Sequence, residues 1–281
     1  MSQVDLHLHT TSSDGRLTPT QLVELVGRRG LKVVAITDHD STEGLPEALE
    51  AAKRFPQLTL ITGIELSTDI PGNEIHVLGY FIHYSDPGFQ RTLQEFRSGR
   101  VERAWEMVRK LADLGVPVEW ERVLELANGG SVGRPHIAQA MVERGHISSP
   151  QEAFARYLGR NGPAYAERPK LTPAEAVRLI LGVKGLPVLA HPREVEDLEA
   201  ILPELEEAGL VGMEVHYGSY TTAQVKSLAA VADRDGLVPC GGSDYHALGS
   251  PEEVEPGQVG PPLETVERLI ALAEQQANIS L

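Results

Sequence analysis

The chain has 281 residues, 41% hydrophobic and 23% charged, which fits one large globular domain or a domain carrying an insertion. Its single cysteine, Cys240, excludes an internal disulfide and a thiolate metal cluster, and points to a reducing cytoplasm. The formal charge of −15 argues against a general nucleic-acid coat; no apolar run approaches the ~20 residues of a membrane span, and no signal-peptide pattern opens the chain.

VDLHLH reads as a short first strand, with His7 and His9 on one face. TPTQLVELVGRRG predicts a helix with Thr18 as N-cap, Pro19 at the first helical position and Gln21 closing a capping box. LKVVAITDHD is a β-branched second strand, followed by the helix EGLPEALEAAKRF. TLITGIE and EIHVLGYFI are strands three and four, joined by a Pro-Gly turn rather than a helix, which requires them to be antiparallel. From Asp86 to Pro169 only helical spacing appears, in FQRTLQEFRSGRVERAWEMVRKLADLG, WERVLELA, RPHIAQAMVERG and PQEAFARYLG. After 170, a helix capped at Thr172 leads to LPVLAH, a helix over 195–208, VGMEVHY, a helix over 221–234, LVPCGGSDYH, a polar loop and a final helix.

Seven strands mostly separated by helices predict an α/β fold, a distorted seven-stranded (β/α) barrel with an all-helical insertion between strands four and five. The expected division is a barrel of residues 1–85 and 170–281 and an insertion of residues 86–169. Charge follows that division. Residues 84–170 carry 13 Lys+Arg against 11 Asp+Glu, and the remainder 12 against 29.

The polar residues of interest collect at strand ends: His7 and His9, with Asp14 just beyond; His39; Glu65; His191; His216; Asp244 and His246. His76, near the start of strand four, joins them only if that strand is reversed. In a parallel barrel the C-terminal strand ends form the active-site mouth, whereas unrelated histidines would scatter over both ends. Imidazole and carboxylate without thiolate suit Mn²⁺, Fe²⁺ or Zn²⁺ and not Cu(I). His83 and His146 read as structural or solvent-exposed, His136 is open between structural and functional roles, Cys240 reads as an apolar filler, and Trp105 and Trp120 as packing residues.

The ordered set LHLHTTSSDG, TDHD, GIE, IHVLGY, AHP and GSDYH resembles the PHP (polymerase and histidinol phosphatase) family of metal-dependent phosphoesterases. The resemblance implies a barrel holding two or three divalent ions, with manganese expected. One ion would take His7, His9, Glu65 and Asp244. A second would share Glu65 and add His76 and His191, and a third would take Asp14, His39 and His246. Asp14 stands where some relatives have histidine.

SVGRPHIA and the Pro-Ala-Tyr of NGPAYAERP resemble a subgroup of 3′,5′-nucleotide bisphosphate phosphatases and short-RNA 5′-to-3′ exonucleases. That implies Ser131, Arg134 and Tyr165 as substrate-binding residues, Arg134 being the phosphate clamp. The expected chemistry is in-line attack by a metal-bridging hydroxide, with Glu65 as the bridging carboxylate. Arg134 would take up charge on the phosphoryl oxygens, and His216, beside the mouth, would protonate the leaving group. The expected substrate is a phosphorylated nucleotide or short oligoribonucleotide, with no membrane and no long duplex as partner. Histidinol-phosphate-type monoester hydrolysis and a non-catalytic metal-binding module are the alternatives.

Overall fold

The computed structural model describes residues 2–70, 73–167 and 171–279. Seven strands lie in one sheet in chain order: β1 (Val4–Asp5), β2 (Val33–Ile36), β3 (Thr59–Ile70), β4 (Asn73–Tyr80), β5 (Leu186–Leu189), β6 (Gly212–Tyr217) and β7 (Val238–Gly242). Neighbours are parallel except β4, which is antiparallel to β3 and to β5, as the helix-free connection requires. The Pro71-Gly72 turn expected between β3 and β4 lies outside the described residues. Leu8 bridges Tyr245 in parallel and Leu6 N–H donates to Gly241 O (3.1 Å), so the first and last strands meet and the barrel nearly closes.

Helices α1 (Pro19–Arg28), α2 (Leu45–Ala52), α7 (Pro173–Gly182), α8 (Leu198–Ala208) and α9 (Thr222–Arg234) surround the sheet. The sequence signals for their starts hold: Thr18 with Gln21, and Thr172 with Glu175, form capping boxes. One apolar layer joins outward strand residues such as Val34, Ile64 and Met213 to Leu22, Val26, Ile180, Leu205 and Leu228 of the helices. The alternate strand residues, among them Ala35, Ile61, Leu78, Tyr80, Val188 and Cys240, make a second layer inside the barrel, joined by Val266 and Leu269 of α10 (Leu263–Ile279). Cys240 is buried in that layer.

Between β4 and β5 the described chain is helical: α3 (Pro87–Asp113), α4 (Trp120–Ala127), α5 (Arg134–Glu143), α6 (Pro150–Ala153) and a π-helical turn at Phe154–Leu158. These helices share an apolar cluster including Met107, Leu111, Ile137, Met141 and Leu158. Trp105 and Trp120 pack edge to face at 5.4 Å, although Trp105 remains half exposed. Polar ties connect this unit to the barrel loops. Arg100 Nε donates to Asp40 Oδ2 (2.7 Å), Arg160 bonds Asp69, and Ser131 N–H donates to Ser12 O (3.2 Å). No helix among the described residues is long and apolar enough to cross a membrane.

Candidate metal centre

The strand ends place their polar residues by simple register. Strand β1 is only two residues long, so His7 and His9 lie just beyond it rather than within it. Asp5 holds this segment down. Its carboxylate accepts from Ser243 N–H (2.9 Å) and Gly257 N–H (3.3 Å), and burial raises its pKa to about 7. His39 forms a parallel bridge with Glu65, and bridged neighbours project to the same face. Glu65 does not end β3, which continues to Ile70 and pairs with all of β4. That extension matters, because Ser67 pairs with His76 and sets the His76 ring diagonally beside Glu65.

Glu65 is consequently the hub. Its Oε2 lies 3.3 Å from His7 Nε2, 3.3 Å from His9 Nε2 and 3.0 Å from His39 Nδ1. Its Oε1 lies 2.7 Å from His76 Nδ1 and 3.2 Å from His191 Nε2. Asp244 Oδ1 approaches His7 Nε2 (3.3 Å) and His9 Nε2 (3.1 Å). Asp14 approaches His246 Nε2 (3.3 Å), His39 Nε2 (3.8 Å) and His9 Nδ1 (3.8 Å). All nine residues expected as ligands therefore meet in one place. His9 and His39 each sit between two groupings: His9 with Asp14, His39 and His246 as well as with His7 and Glu65, and His39 also with Glu65 and His76.

The donor set fits divalent metal better than it fits itself. His9 Nε2, Asp14 Oδ1, His39 Nδ1 and Asp244 Oδ1 are buried with no hydrogen-bond partner among the described residues, although imidazole and carboxylate atoms stand within 4 Å of one another. Buried polar atoms that converge without bonding one another are a costly arrangement unless something else satisfies them. Burial pushes the Glu65, Asp14 and Asp244 carboxyls up, but the surrounding imidazoles hold all three well below the ordinary range. Burial drives His39 down to about 3, against the pull of Glu65 and Asp14, leaving a neutral ring. Asp40, His191 and Asp244 have φ of 49°, 27° and 56°, backbone strain of the kind that gathers at functional sites.

Glu214 was not singled out by the sequence reading. It is fully buried, its Oε1 3.1 Å from His7 Nδ1 and its Oε2 accepting from His191 N–H (2.8 Å). A carboxylate bonded to the far nitrogen of a ligand histidine fixes its tautomer and orientation. The available signal was a lone charge in the apolar run GMEVHY. Tyr217 Oη donates to Asp244 Oδ2 (2.6 Å) and orients it in the same way.

The structure does not bring His216 to the centre, which corrects its assignment as proton donor. A β-bulge between Glu214 and His216 inserts one residue into β6, so Glu214 and Tyr217 face the cluster. His216 instead lines a surface depression with Ser2, Val4 and Pro262. His83 and His146 also lie elsewhere, bonded to Ser85 and to Pro117 O. His136 Nδ1 accepts from Gly133 N–H (3.0 Å) at the start of α5.

Beside the cluster a cavity of about 90 Å³ is walled by His39, His76, Glu74, Arg100, Arg103 and Arg134. Arg134 stands on its wall, donating to Glu74 Oε2 (2.6 Å) and lying 5.4 Å over the Phe154 ring. Ser131 and Tyr165 are not on its wall. Ser131 is buried against the 10–15 loop, and the Tyr165 ring packs under Arg103 (5.0 Å). Across Pro135 and Phe154 lies a second cleft of about 530 Å³, mostly apolar, that also reaches Asp14.

The PHP domain model matches residues 5–99. The chain is 33% identical over 254 residues to a protein of Chromobacterium violaceum named 3′,5′-nucleoside bisphosphate phosphatase, covering 89% of each chain. It is 34% identical over 247 residues to the 5′-3′ exoribonuclease Rnm of Escherichia coli, covering 86% of this chain and 84% of that one. A solved structure from Bifidobacterium adolescentis, provisionally described as a metal-dependent phosphoesterase, superposes with TM-score 0.87 at 31% identity over 96% of both chains. With eight ligand-type side chains gathered around Glu65 and relatives aligned over nearly nine-tenths of its length, this chain belongs to the PHP family of metal-dependent phosphoesterases, which hydrolyse phosphoric esters.

Proposed function

We propose that the enzyme removes phosphate from nucleotides carrying a second phosphate, a nucleoside 3′,5′-bisphosphate first and short 5′-phosphorylated RNA second. The observation that carries this reading is the arginine-walled cavity sharing Asp14, His39 and His76 with the metal centre. A monoester needs only the centre. A cationic cavity next to it serves an anion that is not the one being hydrolysed. The adjoining cleft has the size and apolar lining of a site for a nucleoside. Relatives named for nucleoside bisphosphates and for RNA support the same class.

His7, His9, Glu65 and Asp244, then Glu65 with His76 and His191, then Asp14, His39 and His246 would hold the ions. Those ions would polarise the phosphoryl oxygens and supply an activated water at neutral pH. Manganese is the proposed ion, and the centre itself offers only nitrogen and oxygen donors. The chain's own residues do the positioning: Glu214 and Tyr217 orient ligands, and Arg134 draws phosphate oxygens toward the centre.

The test is a comparison of kcat/KM on the manganese-loaded enzyme for adenosine 3′,5′-bisphosphate, a 5′-phosphorylated trinucleotide and histidinol phosphate. The bisphosphate should exceed histidinol phosphate by about tenfold or more. The reverse order overturns the nucleotide reading and leaves the phosphoesterase centre standing.

A further inference from the structure

The three arginines on the cavity wall are not equivalent. Arg100 has both ends engaged, Nε with Asp40 Oδ2 (2.7 Å) and Nη2 with Ser67 Oγ (2.5 Å). Arg134 has Nη2 on Glu74. Arg103 is only 9% exposed, and its Nη2 is buried with no hydrogen-bond partner among the described residues.

Its guanidinium is nevertheless held in place. Nε donates to Ala166 O (2.7 Å), and the group lies 5.0 Å over the Tyr165 ring. Arg103 sits one turn from Arg100 on α3, so both reach the same cavity. Burial and the neighbouring Arg134 guanidinium push its pKa below the ordinary arginine value, yet arginine stays charged. A fixed, buried cation with a spare donor on a cavity wall is costly to leave unsatisfied and is suited to an incoming anion.

We propose that Arg103 is the residue that selects substrates bearing a second phosphate: its spare Nη2, beside Arg134, receives the oxygens of the phosphate that is not hydrolysed. The inference rests on the proposed nucleotide reading for the identity of the substrate, but not for the chemistry of the anion. The cavity, about 90 Å³, has room for a tetrahedral oxyanion. Glu74 and Asp14 on the same wall tune the site. Glu74 occupies Arg134 and leaves Arg103 as the unspent donor. Tyr165 contributes through Arg103, as a platform that orients it.

The test uses the full metal-loaded enzyme with Arg103→Gln, which keeps an N–H for Ala166 O but loses the charge and fork, and Arg103→Lys, which keeps the charge. Thermal unfolding checks that both variants fold. Substrates are adenosine 3′,5′-bisphosphate, fructose 1,6-bisphosphate and p-nitrophenyl phosphate. The expected result is a fall of about tenfold to a hundredfold in the ratio of kcat/KM for adenosine 3′,5′-bisphosphate over p-nitrophenyl phosphate in Arg103→Gln. Arg103→Lys should recover part of the loss. If the wild type instead favours both bisphosphates without regard to the nucleoside and Arg103→Gln removes that preference, the anion site stands and the nucleotide reading falls. An unchanged ratio overturns the assignment, as does a wild type with no preference for a second phosphate.

Discussion

At the scale of single residues, charge placement decides most of the behaviour. Glu65 touches five imidazoles through two oxygens. Glu65→Gln keeps the shape and removes the charge that holds them. Bound metal, read by elemental analysis, should fall, and turnover of p-nitrophenyl phosphate should drop about a thousandfold or more. Wild-type metal content with near-normal turnover would sink the hub assignment.

The same cluster sets a pH dependence. Burial pulls His76 and His246 down, but Glu65 and Asp14 override it, and without metal their pKa values stand at about 9 and about 10. Groups raised above the ordinary 6.5 stabilise the metal-free fold at pH below that value, and the stabilisation is lost as pH rises through 9 to 10. Metal must displace these protons, so it competes less with them as pH rises. The Tm difference between manganese-loaded and metal-free protein should widen from pH 6.5 to pH 10. A constant or narrowing gap contradicts the assignment.

At the scale of elements, the bulge in β6 is the decisive local feature. One extra residue puts Tyr217 where the alternation begun at Glu214 would have put His216. His216→Ala should therefore leave kcat within about twofold of wild type. Tyr217→Phe deletes the hydroxyl that orients Asp244 and should cost about tenfold. Steady-state kinetics on one substrate checks the pair, and the opposite order would return His216 to the centre. The long β3–β4 hairpin works similarly. Only the antiparallel register past Glu65 allows His76, early in its strand, to reach the same oxygen as His191.

At the scale of the whole molecule, the helical unit and the barrel are joined through the walls of the site. The Arg100–Asp40 pair is largely buried on both sides, with side-chain exposures of 13% and 1%. Removing Arg100 takes a charge-assisted partner from the buried Asp40 carboxylate, which keeps its bond from Ser67 N–H, so Arg100→Met should destabilise the protein by about 3 kcal/mol in urea unfolding. The double variant Arg100→Met, Asp40→Asn should recover part of this. A cost near zero for the single variant would mean that the pair is effectively solvated.

The sequence by itself determined the strand and helix order and the capped helix starts, and its resemblance to the family marked nine candidate ligands. The first two signals are local, hydrophobic period and capping chemistry; the third is a set of ordered motifs, since Asp14 lies in a turn and neither Glu65 nor His76 ends its strand. Tertiary structure alone decided which way the side chains of β6 face past Glu214. A bulge moved His216 out and Tyr217 in, and neither residue type nor spacing announces a bulge. Glu214 and Asp5 were legible only as isolated charges in apolar runs. Arg103 could not be told from the other arginines of α3, because its significance is a spare buried donor, created by what Asp40, Ser67 and Glu74 take up around it.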